Sequence, residues 1–253
     1  MRILIRLIPE KSCSYESHSH KLQGFFYSLF KSTPYEVLHN KPLYKHFCFS
    51  NLFPKGDLEI GTEKMLIFSS PDKHLVRTVL EKLMEKATSK TPINIGEMRF
   101  TIKEVKLLSS RLNSPHISLI TATPIIIRIP EKNYEKYKIP NEYRKKRYIY
   151  WRPQYDFSPF IKQLEENIFK KYKEFYKKEI EEFPLFEAFK FNGMANPRIV
   201  IKGREYPLVG SYWEFHFSGL NHDRERRKIL EFAMDEGFGE RNTYGFGFVN
   251  RIK

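Results

Sequence analysis

The sequence predicts an α+β protein of two tandem ferredoxin-like (RRM-like, βαββαβ) domains with a glycine-rich loop near its C-terminal end. Three observations carry that expectation. Strand-like alternation and helical repeats of apolar residues follow one another in the order β-α-β-β-α-β through about residue 108. After a break at Ser109, Ser110, Asn113 and Pro115, the same order returns with longer parts. At 253 residues and 41% apolar content, the chain can build two real cores and is not a disordered polymer. The expected domains are residues 1–112 and 113–253.

In the first domain, Ile3, Ile5 and Leu7 share one face of a strand over residues 1–9, and Arg2, Leu4 and Arg6 the other. Leu22, Phe25, Phe26, Leu29 and Phe30 form the apolar stripe of a helix over about 19–32, with Tyr27 off that stripe. Pro34 opens a loop carrying His39, Lys41, Lys45 and His46. Short strands are expected over Phe47–Phe53 and Lys64–Ser69. A helix then starts at Pro71 with Ser70 as its cap, burying Val76, Val79, Leu80 and Leu83. Residues 93–108 supply the last strand of this half.

In the second domain, Ile117–Ile129 reads as a β-branched strand with Pro124 marking a bulge or an edge. Residues 131–152 are basic and aromatic, including Arg144, Lys145, Arg147, Tyr148, Tyr150 and Trp151. Ser158 and Pro159 cap a long helix whose Ile161, Leu164, Ile168, Tyr172, Phe175 and Ile180 face inward. Strands near 185–202 and 206–217 meet in a hairpin about Gly203. A helix over about 222–236 leads into the loop and a last strand, 245–252.

The loop itself, Gly237 to Gly247, has two G-x-G pairs around a five-residue spacer containing Arg241 and Asn242. Glycines tolerate positive φ, so such a run can aim backbone N–H groups into one concavity that suits a phosphate. The competing reading makes Gly237 a helix terminator and the other glycines bulges into a strand. The dinucleotide fingerprint needs glycines between a strand and a helix, and the phosphate loop needs a following Gly-Lys-Ser/Thr, so both are excluded.

Lys and Arg total 44 against 30 Asp and Glu, a formal charge of +14, which calls for a polyanionic partner. Arg224, Arg226 and Arg227 add cations to the first turns of the 222–236 helix, where the helix dipole disfavours them. Two cysteines, Cys13 and Cys48, build neither a disulfide framework nor a cysteine-rich zinc site. His18 and His20 lack a Cys or Asp neighbour, which argues against zinc there. No metal or other cofactor is expected. No signal peptide or membrane-spanning run is recognised, and a cytoplasmic protein without a membrane partner is expected.

The opening MRILIRLIPE, the helix LQGFFYSLFK, the VLH that follows, and the terminal G-x-G-x5-G-x-G together resemble the CRISPR repeat-processing endoribonucleases. These form the sixth Cas family of the RAMP superfamily, and the likeness is to its archaeal type. The resemblance implies binding of CRISPR repeat RNA and cleavage of precursor CRISPR RNA within each repeat, without metal. In that chemistry the 2′-hydroxyl attacks the adjacent phosphate and leaves a 2′,3′-cyclic phosphate and a 5′-hydroxyl. By motif, the catalytic tyrosine, histidine and lysine fall on Tyr27, His39 and Lys45. Lys41 in place of Lys45, His46 in place of His39, and the acid and base assignments stay open. The RNA contacts expected are Gly237, Gly239, Arg241, Asn242, Gly245 and Gly247, with Arg224, Arg226, Arg227, Arg147 and Trp151. The rival reading is a non-catalytic RAMP protein that binds repeat RNA or serves as a CRISPR effector subunit. A monomer or homodimer fits either reading. A generic protein with paired RRM-like domains ranks below both, because no RNP1 aromatic signature is present.

Overall fold

The computed structural model describes residues 1–15, 19–40, 42, 44–144, 146–201 and 203–252. They divide into two compact units, one comprising Met1–Ser110 with Thr243–Gly245, the other residues 111–242 with those from Phe246 onward.

The first unit contains β1 (Arg2–Pro9), α1 (Leu22–Phe30), β2 (Cys48–Phe49), β3 (Lys64–Ser69), α2 (Lys73–Thr88), β4 (Ile93–Ile95) and β5 (Met98–Leu108). The strands form one antiparallel sheet in the order β2-β3-β1-β5-β4. Ile3 and Ile5 of β1 stand opposite Phe68 and Leu66 of β3, and all four are buried. Phe25, Phe26, Leu29 and Phe30 of α1 and Leu75, Val76, Val79 and Leu83 of α2 join the same core. Each such side chain contributes about 1.5–3 kcal/mol by leaving water. Lys64, 4% exposed, is enclosed in this unit, and its ammonium donates to the carbonyls of Pro54 and Gly56 at 3.0 and 3.2 Å.

Three expectations change here. The strand over 93–108 is a hairpin, because the buried set moves from Ile93 and Ile95 to Met98, Phe100 and Ile102 across Gly96 at φ 63°. That one-residue change of phase puts the turn where the alternation flips faces. The cap of α2 is Asp72, whose carboxylate accepts from His74 and Leu75 N–H at 2.8 and 3.1 Å. Ser70 sits outside the helix and donates to the His46 carbonyl. Of the strand expected over Phe47–Phe53, only Cys48–Phe49 pairs as a ladder, with Phe53 bridging Met65.

The second unit contains β6 (His116–Thr121), β7 (Ile125–Ile126), β8 (Arg128–Pro130), β9 (Tyr148–Tyr150), α3 (Phe157–Tyr176), β10 (Ala188–Ala195), β11 (Arg198–Ile201), β12 (Arg204–Pro207), β13 (Gly210–Ser218), α4 (Arg224–Glu236) and β14 (Val249–Ile252). Its main sheet runs β10-β13-β6-β14 with β7 beside β13, while β8–β9 and β11–β12 are separate two-stranded ribbons. Taking the βαββαβ strands of each unit in chain order, both sheets run second-third-first-fourth, the ferredoxin-like arrangement. Trp213 stacks on Phe160 at 4.3 Å in a core shared with Leu119, Phe215, Leu164, Ile168, Ile229 and Leu230.

The expected Ile117–Ile129 strand is divided into β6, β7 and β8: Pro124, with no N–H for a ladder, lies in the first break, and Ile127 is the second. The long helix starts after Asp156 rather than at Ser158, and it stops at Lys177, whose φ of 51° is left-handed. Ile180 therefore lies beyond the helix. The last strand begins at Val249 rather than 245, because Asn242–Tyr244 form a 3-10 turn and the chain turns again through Gly245 and Gly247.

Candidate active site

In α1 the core stripe fixes the helix rotation, and Tyr27 is left half-buried at its edge. Its ring meets Phe30 and Phe47 edge-on at 5.7 and 5.8 Å and the His39 ring at 5.1 Å. His39 closes a 3-10 turn, Glu36–His39, that leaves the imidazole exposed with Nδ1 2.9 Å from Asn40 Oδ1. Lys45 joins the two. Its Nζ donates to Tyr27 Oη at 2.9 Å and to the His39 carbonyl at 3.1 Å, and it lies 5.0 Å from the centre of the Tyr27 ring. The structure thus gathers three residues whose outer members, Tyr27 and Lys45, are 18 positions apart in sequence. His46, the alternative histidine, is only 9% exposed. Lys41 lies outside the described residues, as do His18 and Lys145.

Burial pushes the Tyr27 hydroxyl up to about 12; a hydrogen bond with Thr243 opposes that, and Tyr244 adds to it. Burial also lowers the Lys45 ammonium from its ordinary range. Thr243 and Tyr244 belong to the first unit with Gly245, which packs on the Phe49 ring: a Cβ at Gly245 would lie 2.8 Å from Phe49 Cε2. The sequence reading passed over Thr243, and nothing in its residue type signals a contact with Tyr27.

The glycine-rich loop is built differently from the open phosphate cradle expected. Gly237, Gly239, Gly245 and Gly247 are all buried. The N–H groups of Gly237 and Gly247 bond the carbonyls of Ala233 and Pro124 at 2.8 and 2.9 Å, so they are spent internally. A Cβ at Gly239 would stand 2.6 Å from the Ile126 carbonyl oxygen, and one at Gly247 would overlap the Phe238 carbonyl oxygen. At Gly239 and Gly247 the missing Cβ lets backbone touch backbone.

Asn242 is corrected as a direct RNA contact, because its side chain is committed within the unit. It is buried, its Nδ2 donates to the Phe238 and Phe246 carbonyls at 3.1 and 2.9 Å, and its Oδ1 accepts from Lys171 at 2.5 Å. Lys171 is 2% exposed and also donates to the Gly237 and Gly239 carbonyls at 2.9 and 2.6 Å. The sequence reading missed it, although its place one turn beyond Leu164 and Ile168 on the inward face of α3 was a readable signal.

Trp151 is likewise corrected: it is 2% exposed, packs on Phe160 and Trp213, and donates its indole N–H to the Asp156 carbonyl. Arg226 pairs with Glu187 and Asp223, and Asp223 caps α4, so that cation is balanced from within the unit. Arg227 reaches the Asn221 carbonyl at 3.4 Å, while Arg224 and Arg147 are exposed. Arg241, at φ 61°, is half-buried. Among the described residues, no group of three His, Cys, Asp or Glu side chains could hold a metal ion, and no helix is long and apolar enough to cross a membrane.

With this geometry in hand, known proteins supply the family. The model of the family described as CRISPR associated protein Cas6, C-terminal, matches residues 102–251. CRISPR-associated endoribonuclease Cas6 2 of Methanocaldococcus jannaschii is 33% identical over the full length of both chains. CRISPR-associated endoribonuclease Cas6 of Haloferax mediterranei is 28% identical, over all of this chain and 94% of its own. Among solved structures, a CRISPR associated protein Cas6 superposes with a TM-score of 0.70 at 21% identity, covering 100% of this chain and 99% of that one. A RAMP protein binding different RNA substrates reaches 0.71 at 19%, with both chains covered completely. At those identities the two structures speak for the fold, which is the tandem ferredoxin-like one. Family model and full-length relatives agree, and the chain belongs to the Cas6 family.

Proposed function

We propose that this protein binds CRISPR repeat RNA in the cytoplasm and cleaves precursor CRISPR RNA once in each repeat, as a metal-independent endoribonuclease. The observation that carries the reading is the Lys45 ammonium held between the Tyr27 hydroxyl and the His39 carbonyl, with the His39 ring against Tyr27. His39 is the base. With Nδ1–H turned to Asn40, its Nε2 lone pair faces solvent and takes the 2′ proton. As the bond from the 2′ oxygen to phosphorus forms and the bond to the 5′ oxygen breaks, Lys45 offsets the growing negative charge.

Tyr27 is the donor to the leaving oxygen. Its oxygen accepts from Lys45, which leaves its own O–H as a donor. A hydroxyl raised to about 12 stays protonated through neutral pH and cannot serve as the resting base. The proton it gives to the 5′ oxygen is replaced from Lys45, which burial makes the readier acid. Products are a 2′,3′-cyclic phosphate and a 5′-hydroxyl, and solvent resets His39 and Lys45.

The test is incubation with labelled CRISPR repeat RNAs in EDTA. One cut leaving a cyclic phosphate is expected, absent when the 2′-hydroxyl before the cut is replaced by hydrogen. In His39→Ala the rate should fall by roughly 10²–10⁴. Tight binding without a cut would make the protein a non-catalytic RAMP binder or effector subunit. Activity lost in EDTA and restored by zinc or magnesium would overturn the metal-free chemistry.

A further inference from the structure

The β8–β9 ribbon stands apart from the main sheet of the second unit, and its two faces differ. Ile129 and Ile149, paired across the ribbon, turn into the core. Tyr148 and Tyr150 share the opposite face by alternation, with their rings 5.7 Å apart and nearly perpendicular. Arg128, paired with Tyr150, lays its guanidinium 4.9 Å from the centre of the Tyr148 ring. That guanidinium is pinned by Glu240 of the glycine-rich loop, Nε to Oε2 at 2.5 Å. Arg241, the next residue of the loop, is close enough to act electrostatically on Tyr150.

A single exposed tyrosine is ordinary on a protein surface. This one is 41% exposed, yet its ring is fixed by a guanidinium that is itself locked in an ion pair. Exposed Lys146 and Arg147 precede it on the chain. A rigid aromatic face flanked by cations, on a chain of formal charge +14, matches an unpaired nucleobase with its phosphate. An acidic peptide would use the cations and leave the ring idle. The buried Trp151, three positions on, offers no such face.

We propose that Tyr148, backed by Arg128, is a stacking platform for one unpaired base of the bound RNA, with Arg147 on a neighbouring phosphate. This rests on the repeat-RNA reading above and adds a site to it.

The test measures the affinity of labelled repeat RNA across a salt series, for intact RNA and for RNAs carrying an abasic nucleotide at each position in turn. Tyr148→Ala should weaken intact RNA about tenfold, and Tyr148→Phe should keep wild-type affinity. The slope of affinity against salt should be unchanged in Tyr148→Ala and shallower by about one in Arg147→Ala. One abasic position should cost wild type about tenfold and Tyr148→Ala nothing further. If Tyr148→Ala binds as wild type, or every abasic loss is equal in both proteins, the platform is wrong while cleavage stands. A wild-type protein that neither binds nor cuts repeat RNA would remove the repeat-RNA reading and the platform with it.

Discussion

Tyr27 owes its position to the rotation of α1: five apolar neighbours claim the core and leave the phenol at the edge, against His39 and Lys45. Because burial keeps its proton on up to about 12, Tyr27→Phe should slow cleavage about a hundredfold without moving the pH–rate profile between about pH 5 and 9. A profile that shifts would mean that Tyr27 titrates in the reaction. Thr243→Val removes one hydrogen bond to that oxygen while keeping the side-chain shape. It should lower kcat with KM held, and Thr243→Ser should restore it; equal rates in all three proteins would leave Thr243 a bystander. Tyr27, His39 and Lys45 were placed by the motifs of the family resemblance, and Tyr27 also by standing off the apolar stripe of its helix. Trp151 and Asn242 misled for the converse reason, since an aromatic in a basic segment and an amide in a loop look exposed until a core closes over them.

Helix ends and strand breaks record which local signals the chain obeys. Asp72 caps α2 with two N–H bonds, so Asp72→Ala should cost about 1 kcal/mol and lower Tm by a few degrees, whereas Ser70→Ala removes a bond to the His46 carbonyl and one from the Asp72 N–H, neither of them to a helix N–H. Thermal melts of the two variants separate the cap from its neighbour; a larger loss in Ser70→Ala would reverse the assignment. The element order was readable from periodicity alone. The flip of phase between Ile95 and Met98 was written in the sequence too, but two short strands around a tight turn resemble one long strand unless the faces are counted. Pro124 was read as a bulge or an edge within one strand, and the division into β6, β7 and β8 depended on distant pairing with β13 and β9, which no local pattern contains.

At the scale of the whole molecule, the same strand order in both units was implicit in the repeated element order, whereas the assignment of Thr243–Gly245 to the first unit rests on contacts between distant parts of the sequence, such as Gly245 on Phe49. Tyr15, Tyr27 and Tyr35 all rise from an ordinary 10.0 to about 12, chiefly through burial. Their folded pKa values exceed the unfolded ones, so the stability they contribute is complete below about pH 10 and lost as pH climbs through about 12. The urea midpoint of unfolding should therefore fall steeply above about pH 10; a midpoint that is flat or rising there would contradict the burial of these phenols.

Lys64 and Lys171, the buried lysines among the described residues, sit one in each unit and spend their protons on carbonyl oxygens. An amine-reactive reagent will consume surface lysines quickly, but it can acylate these two only after the enclosing unit has opened. Mass-spectrometric labelling rates at the two positions thus act as separate clocks, one per unit. Equal rates would mean that the units open together, and unequal rates would identify the one that loosens first.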